Sequence, residues 1–252
     1  MTKQTVGSDN RPFLKAVTTL GKPDTSRYPF NIPALSQGVN IQITRNITFL
    51  VGENGSGKST ILEAVAEKCG FNAMGGNRNH NYLVDTLQSE LAPFLRLSWR
   101  QKLTQGFFMR AESFFNFATY MDQIESESPG VLGAYGGKSL HSQSHGEALL
   151  SLFANRFSEG IYLLDEPEAA LSPQRQLSFL RILYELERRG GAQFLIASHS
   201  PLLFSYPNAT IFVLDSDGVR EVSFQETEHY MLMKRFLDSP DRYFHYLFSD
   251  AD

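Results

Sequence analysis

One cysteine, Cys69, stands among 252 residues, so the chain can form no internal disulfide. That usage fits a reducing, cytoplasmic setting, and Cys69 reads as a small buried side chain rather than a reactive one. No apolar run approaches the ~18–20 residues needed to cross a bilayer, so membrane insertion is not expected. Met1 to Asn10 is polar and lacks the apolar core of a signal peptide. Charge of one sign is also scarce: a net charge of −4 provides no global attraction to nucleic acid or to an anionic membrane. There is no internal repeat and no long heptad pattern.

What is present is ordinary in bulk and specific in detail. An apolar content of 42% and a charged content of 20% describe a globular chain with enough length to bury a full core. The chain reads as one domain over 1–252, with 1–10 a loose tail and 82–130 the approximate extent of a helical insertion. Strands are expected over Phe13–Leu20, Val39–Ile43, Ile161–Leu164 and Phe194–Ala197, and a hairpin over Thr210–Val222 around Asp215-Ser216-Asp217-Gly218. Phe94–Leu103 is strand-like. Helices are expected over Val84–Leu91, Ala111–Ile124, Glu147–Phe157, Gln174–Arg189 and Glu228–Leu237, the last completing the core. The aromatic spacing of Phe114, Phe115, Phe117 and Met121 reads as core packing.

The run Gly52-Glu53-Asn54-Gly55-Ser56-Gly57-Lys58-Ser59-Thr60 follows the apolar segment Ile47–Val51 and precedes a helical pattern, Ile61–Cys69. Strand, glycine loop and helix are the context in which a P-loop pattern carries a mechanism. Glycines let successive N–H groups wrap a phosphate chain, and the helix adds the positive end of its dipole. Lys58 can reach the β- and γ-phosphates, and the Ser59 hydroxyl can ligate Mg²⁺. A nucleoside triphosphate is the predicted ligand.

Two further apolar runs end in chemistry. Ile161–Leu164 leads into Asp165-Glu166: Asp165 is placed to hold Mg²⁺ with Ser59, and Glu166 to polarise an attacking water. Phe194–Ala197 leads into Ser198-His199-Ser200, where a neutral His199 can hydrogen-bond a γ-phosphate. Upstream, Ser144-His145-Gly146-Glu147 has the form of a capping box, Ser144 at the N-cap and Glu147 three residues on.

Asp165-Glu166-Pro167, then Glu168-Ala169-Ala170-Leu171-Ser172, then Ser198-His199-Ser200, resembles the Walker B, D-loop and switch-histidine succession of ABC-type ATPases. The resemblance spans roughly Val39 to Leu214. It is closest to the branch containing chromosome-maintenance and DNA-repair ATPase heads and small stand-alone ATPases. It implies an α/β P-loop NTPase fold: a mixed sheet flanked by helices, with an N-terminal antiparallel β part and a small helical subdomain. It also implies a signature motif, for which Gln143 to Glu147 is the candidate; His145 and Glu147 depart from the usual Gly and Gln. The capping reading and the signature reading are compatible, because a capped helix N-terminus suits a phosphate from a second subunit. A Q-loop is implied too, with Gln88, Gln101, Gln105 or Glu112 as candidates, and an adenine-stacking aromatic, Tyr28 or Phe30.

The resemblance further implies a homodimer that closes on ATP. Gly52 to Thr60, Asp165, Glu166 and His199 would act in cis; Ser144, Gly146 and Ser172 would act in trans. Lys58, Glu166 and His199 would carry catalysis, with ATP and Mg²⁺ as substrate and cofactor. The short span between Thr60 and Ser144 leaves no room for long coiled-coil arms. Three roles compete: an ATPase switch in nucleic-acid maintenance or defence with a separate effector protein or nucleic acid, the ATP-binding subunit of a transporter, and a non-catalytic nucleotide-dependent scaffold.

Overall fold

The computed structural model describes residues 11–71, 89–111, 114–127, 129–135, 137, 139 and 142–249. Among the described residues, nine strands form two sheets. The smaller is antiparallel, with β1 (Leu14–Thr19) between β2 (Asn40–Gln42) and β4 (Leu95–Trp99). The larger runs in the order β5 (Gly106–Arg110), β6 (Gly160–Asp165), β7 (Ala192–Ala197), β3 (Ile47–Val51), β8 (Ala209–Asp215), β9 (Gly218–Val222). Its pairings are parallel except for the β8–β9 hairpin.

β3, β6 and β7 are buried at every residue, as strands covered on both faces must be. On one face lie α2 (Phe114–Glu127), α3 (His145–Arg156) and α4 (Pro173–Arg189); their Phe117, Phe153 and Phe179 meet Phe49, Tyr162 and Phe194 of the sheet in one apolar cluster. Phe117 meets Phe107 edge-on at 5.4 Å, so the aromatic spacing of α2 is core packing as expected. The other face is covered by α1 (Lys58–Cys69) and the small sheet, where Cys69 is buried with Leu62 and Val65. The expected α/β architecture, with its antiparallel N-terminal part, is therefore observed.

Several expectations differ in detail. Within 82–130, Leu95–Trp99 and Gly106–Arg110 are strands of the two sheets, and α2 is the helical portion among the described residues. The helix expected over Val84–Leu91 lies largely outside them. The α6 helix (Glu228–Asp238) contributes no buried residue, so it does not complete the core. An amphipathic stripe declares an apolar face without declaring what covers it. A further helix, α7 (Pro240–Phe248), follows it, and Leu237 and Phe248 are exposed. The short α5 (Pro201–Phe204) lies directly after Ser200. Among the described residues no helix is long and apolar enough to cross a membrane.

Candidate functional site

The carboxyl ends of three adjacent parallel strands collect the predicted residues. β3 delivers the P-loop, β6 delivers Asp165-Glu166, and β7 delivers Ser198-His199. That edge is where open α/β sheets bind ligands. Backbone bonds stitch the strand tips together: Ser198 N donates to Leu50 O at 3.0 Å, and Glu166 N donates to Ala197 O at 3.0 Å.

The loop Gly52 to Gly57 turns tightly enough that a Cβ on Gly52 would lie 2.4 Å from Leu214 O. Ser56 Oγ is buried with no hydrogen-bond partner among the described residues, 2.8 Å from where that Gly52 Cβ would stand. Ile61 N donates to Gly57 O at 3.0 Å, so α1 begins directly behind the loop with its first N–H groups pointing at it. Lys58 is buried, and its ammonium donates to Gly52 O at 2.8 Å and Glu53 O at 3.0 Å. Burial pulls its pKa below the usual lysine value, while the carboxylates of Glu166, Asp165 and Glu53 pull the other way. Loop, lysine and helix end form a cradle whose chemistry suits a polyphosphate.

Ser59 Oγ donates to Asp165 Oδ1 at 3.0 Å, which brings the two predicted metal-ligating residues together. Burial pushes the Asp165 carboxyl up to about 6, against the lowering effects of the Ser59 hydrogen bond and of Arg110. Among the described residues no group of three or more His, Cys, Asp or Glu could hold a metal ion alone. Two hard oxygens beside a phosphate cradle suit Mg²⁺, which keeps waters and substrate phosphates as its remaining ligands.

Glu166 adopts φ 50° and ψ 53°, the left-handed region that a non-glycine residue enters at a cost of roughly 1–3 kcal/mol. This turns its carboxylate toward His199, whose Nε2 lies 3.3 Å from Glu166 Oε1 without the alignment of a formed hydrogen bond. Burial and then Lys58 lower the His199 pKa below the usual histidine value, so the ring is held neutral. Glu168, unassigned beyond its place in the motif, proves to be a brace. Its Oε1 accepts from Ser198 Oγ at 2.9 Å and from His199 N at 2.6 Å, and burial raises its pKa.

The signature candidate lies apart from this edge. Ser144 is the N-cap of α3, and Glu147 completes the box, accepting from Ser144 N at 3.1 Å and Ser144 Oγ at 2.7 Å. His145 is the first residue of α3. Arg175, on α4, donates to Ser144 Oγ at 3.0 Å and to Glu147 Oε1 at 2.9 Å. Gly146 is required by close approach: a Cβ there would stand 2.8 Å from Ala170 O. Ser172 caps α4, accepting from Arg175 N at 3.4 Å.

Two open questions from the sequence narrow. Phe30 is buried and meets Phe94 edge-on at 5.2 Å, so its faces belong to the core. Tyr28 is exposed, and its hydroxyl lies 3.2 Å from Thr60 Oγ1, beside the P-loop helix. Of the Q-loop candidates, Gln88 and Glu112 lie outside the described residues. Gln105 sits at the amino end of β5, its carbonyl bonded to Ile161 N, and Gln101 precedes it; both are at the wrong end of the strand. At the right end stands Arg110, paired in register with Asp165, 2.7 Å from Glu63 Oε1 and 3.8 Å from Asp165 Oδ2. Arg110, Ser59, Asp165, Glu166 and Ala170 line a cleft of about 450 Å³. Sequence reading missed Arg110; its place at the tip of the apolar strand before α2 was the available signal.

Comparison with known proteins agrees with this fold. A family model described as "AAA domain, putative AbiEii toxin, Type IV TA system" matches residues 147–205, and a second AAA domain model matches residues 30–82. The tungstate uptake system ATP-binding protein TupC of Campylobacter jejuni is 25% identical over 233 residues, covering 79% of this chain and 67% of the relative. The energy-coupling factor transporter ATP-binding protein EcfA of Methanothermobacter thermautotrophicus is 27% identical over 216 residues, covering 75% and 65%. The matches thus span about two thirds of each relative's length. A crystal structure of a nucleotide-free ATP-binding cassette from an ABC transporter superposes with a TM-score of 0.54 at 17% identity, over 90% of this chain and 97% of that one. The chain therefore has the fold of the ABC-type ATPases.

Proposed function

We propose that the protein binds ATP and hydrolyses it to ADP and phosphate, as a nucleotide-dependent switch that works as a dimer. The observation that carries this reading is the convergence of Lys58, Ser59–Asp165 and Glu166–His199 on one sheet edge. The triphosphate lies along Gly52, Glu53, Asn54, Gly55, Ser56 and Gly57, with Lys58 on its β- and γ-oxygens and Thr60 in the first turn of α1. Ser59 and Asp165 would hold Mg²⁺, which would supply charge neutralisation on the phosphates. Glu166 orients and deprotonates a water for in-line attack. His199 donates its Nε2–H to the γ-phosphate. The chain's contribution is positioning and charge stabilisation rather than covalent chemistry.

The other half of the site comes from a second copy. Ser144, His145, Gly146 and Glu147 open α3, with Ser144 and Glu147 exposed, and the positive dipole end of this 12-residue helix suits a γ-phosphate. Ser172 lies beside them, one helix start away. Replacing Glu166 by Gln tests the reading. The variant is expected to lose at least about 100-fold in turnover while retaining ATP, and to run as a dimer on size exclusion in saturating Mg-ATP. A variant that stays monomeric there contradicts the composite site.

As a cytoplasmic switch, the dimer would pass its closure to a separate effector in nucleic-acid maintenance or defence; the toxin–antitoxin family description favours that setting. A second reading, the ATP-binding subunit of a transporter, is favoured by the two relatives named for tungstate uptake and for an energy-coupling factor transporter. Capture of partners with the ATP-loaded Glu166→Gln protein separates them. An integral membrane subunit supports transport, and turnover stimulated by DNA or RNA supports the first role.

A further inference from the structure

A second histidine stands behind the first. His199 Nδ1 lies 3.4 Å from Nε2 of His229, in the first turn of α6, on the side of the ring away from Glu166. His229 is mostly buried, its side chain 17% exposed, and its Nε2 also lies 3.9 Å from Glu53 Oε1 of the P-loop. The four side chains Glu53, His229, His199 and Glu166 form a chain that starts and ends at the nucleotide cradle.

His229 is held firmly. Phe204 packs against its ring edge-to-face at 6.1 Å. Thr227, fully buried, caps α6 by accepting from Tyr230 N at 3.4 Å and donating to Phe224 O at 2.8 Å. Phe224 in turn packs on Phe204 at 5.8 Å and on Tyr230 at 4.6 Å.

A neutral imidazole has one N–H and one lone pair, and the group facing one nitrogen decides the state of the other. With Glu166 Oε1 3.3 Å from His199 Nε2, a lone pair on that nitrogen would face another acceptor. The proton belongs on Nε2, which leaves His199 Nδ1 as an acceptor. The group set to donate to it is Nε2–H of His229. We infer that His229 is a positioning residue: by donating to His199 Nδ1 it fixes the tautomer that presents Nε2–H to Glu166 and to a γ-phosphate, and it ties α6 to that switch. The inference rests on the hydrolysis reading for its kinetic consequence only; the tautomer is a property of the protein itself.

The full chain, labelled with ¹⁵N-histidine, provides the test. Long-range ¹H–¹⁵N correlation, assigned with the His199→Gln variant, should show His199 carrying its proton on Nε2. His229→Phe keeps a ring against Phe204 and removes the donor, and should yield a mixture of tautomers. His229→Gln restores an N–H donor and should recover the wild-type pattern. Kinetically, His229→Phe should lower kcat about 10-fold with KM for ATP within about 2-fold, and His229→Gln should regain most of the loss. A wild-type His199 protonated at Nδ1 overturns the inference. So does a His229→Phe variant with unchanged spectrum and kcat. A chain without turnover, or one whose Glu166→Gln variant turns over normally, overturns the hydrolysis reading instead, and the spectrum still decides the tautomer.

Discussion

At the carboxyl edge of the large sheet, Lys58, Asp165 and Ser198 are buried, whereas at the start of α3 Ser144 and Glu147 stand in solvent. The two regions hold their charges by different means. Burial drives the edge: it lowers Lys58 and raises Asp165 and Glu168, each against its neighbours' compensation. Hydrogen bonds drive the corner: Ser144, through its side chain and then its backbone, holds the Glu147 carboxyl below its ordinary value, with Arg175 assisting. Fixed charges in a dry site act far more strongly on a substrate than hydrated ones. On the reading proposed above, the edge carries the chemistry, and the corner is a surface that would gain strength only when a partner removes its water.

The sharpest way to break this division is to disable each region in a different copy. Lys58→Ala and Ser144→Arg are each expected to lose at least about 100-fold in ATPase activity. Mixed in equal amounts, half of the dimers pair an intact cradle with an intact corner. Activity should then return to about a quarter of wild type, as a two-fold composite site requires. Steady-state phosphate release across mixing ratios reads this directly. No recovery at any ratio would mean that both regions serve the same subunit.

A smaller effect concerns stability and tests whether the edge is electrostatically strained. The folded pKa of Asp165, about 6, lies above its ordinary value of 3.8. The folded state then binds more protons than the unfolded one between those values, so stability falls as pH rises through that window and stays low above it. Asp165→Asn keeps an acceptor for Ser59 and cannot ionise. In the absence of nucleotide it should be more stable than wild type by up to about 3 kcal/mol at pH 8. The two proteins should converge near pH 4. Thermal melts of both across that range check the sign; a variant less stable at pH 8 would place the dominant effect in lost ion pairing with Arg110.

The same contrast explains what the sequence made legible. Gly52 to Thr60, Asp165-Glu166 and Ser198-His199 are contiguous motifs at the ends of apolar runs, and strand context suffices to bring them together. Arg110 and Glu63 were hidden because their place depends on the β5–β6 register, which sets Arg110 opposite Asp165. His229 was hidden because it arrives on a helix whose docking no local pattern announces. The α6 stripe reads as core because periodicity reports one apolar face and not its partner. The α7 helix has a local start signal, Pro240 in its first turn after Ser239, but its exposed stripe leaves periodicity nothing to place it against. The capping box at Ser144 was legible in full, since its two residues lie within one turn.

Arg175→Ala produces the smallest expected change and sharpens the comparison most finely. Arg175 is the one cation bonded to both Ser144 and Glu147 among the described residues, yet it and Glu147 are substantially exposed. Exposed ion pairs contribute little, because water competes for both partners and two long side chains lose rotamer freedom. Ser144 and Glu147 also cap each other without it. The variant should therefore lower Tm by no more than about 2 °C. Its ATP affinity as a monomer should be unchanged, since the cradle lies on other elements. A fall of about 5 °C or more would mean that the corner is as preorganised as the edge. The division between a proposed catalytic half whose charges burial sets and a hydrated docking half would then have to be withdrawn.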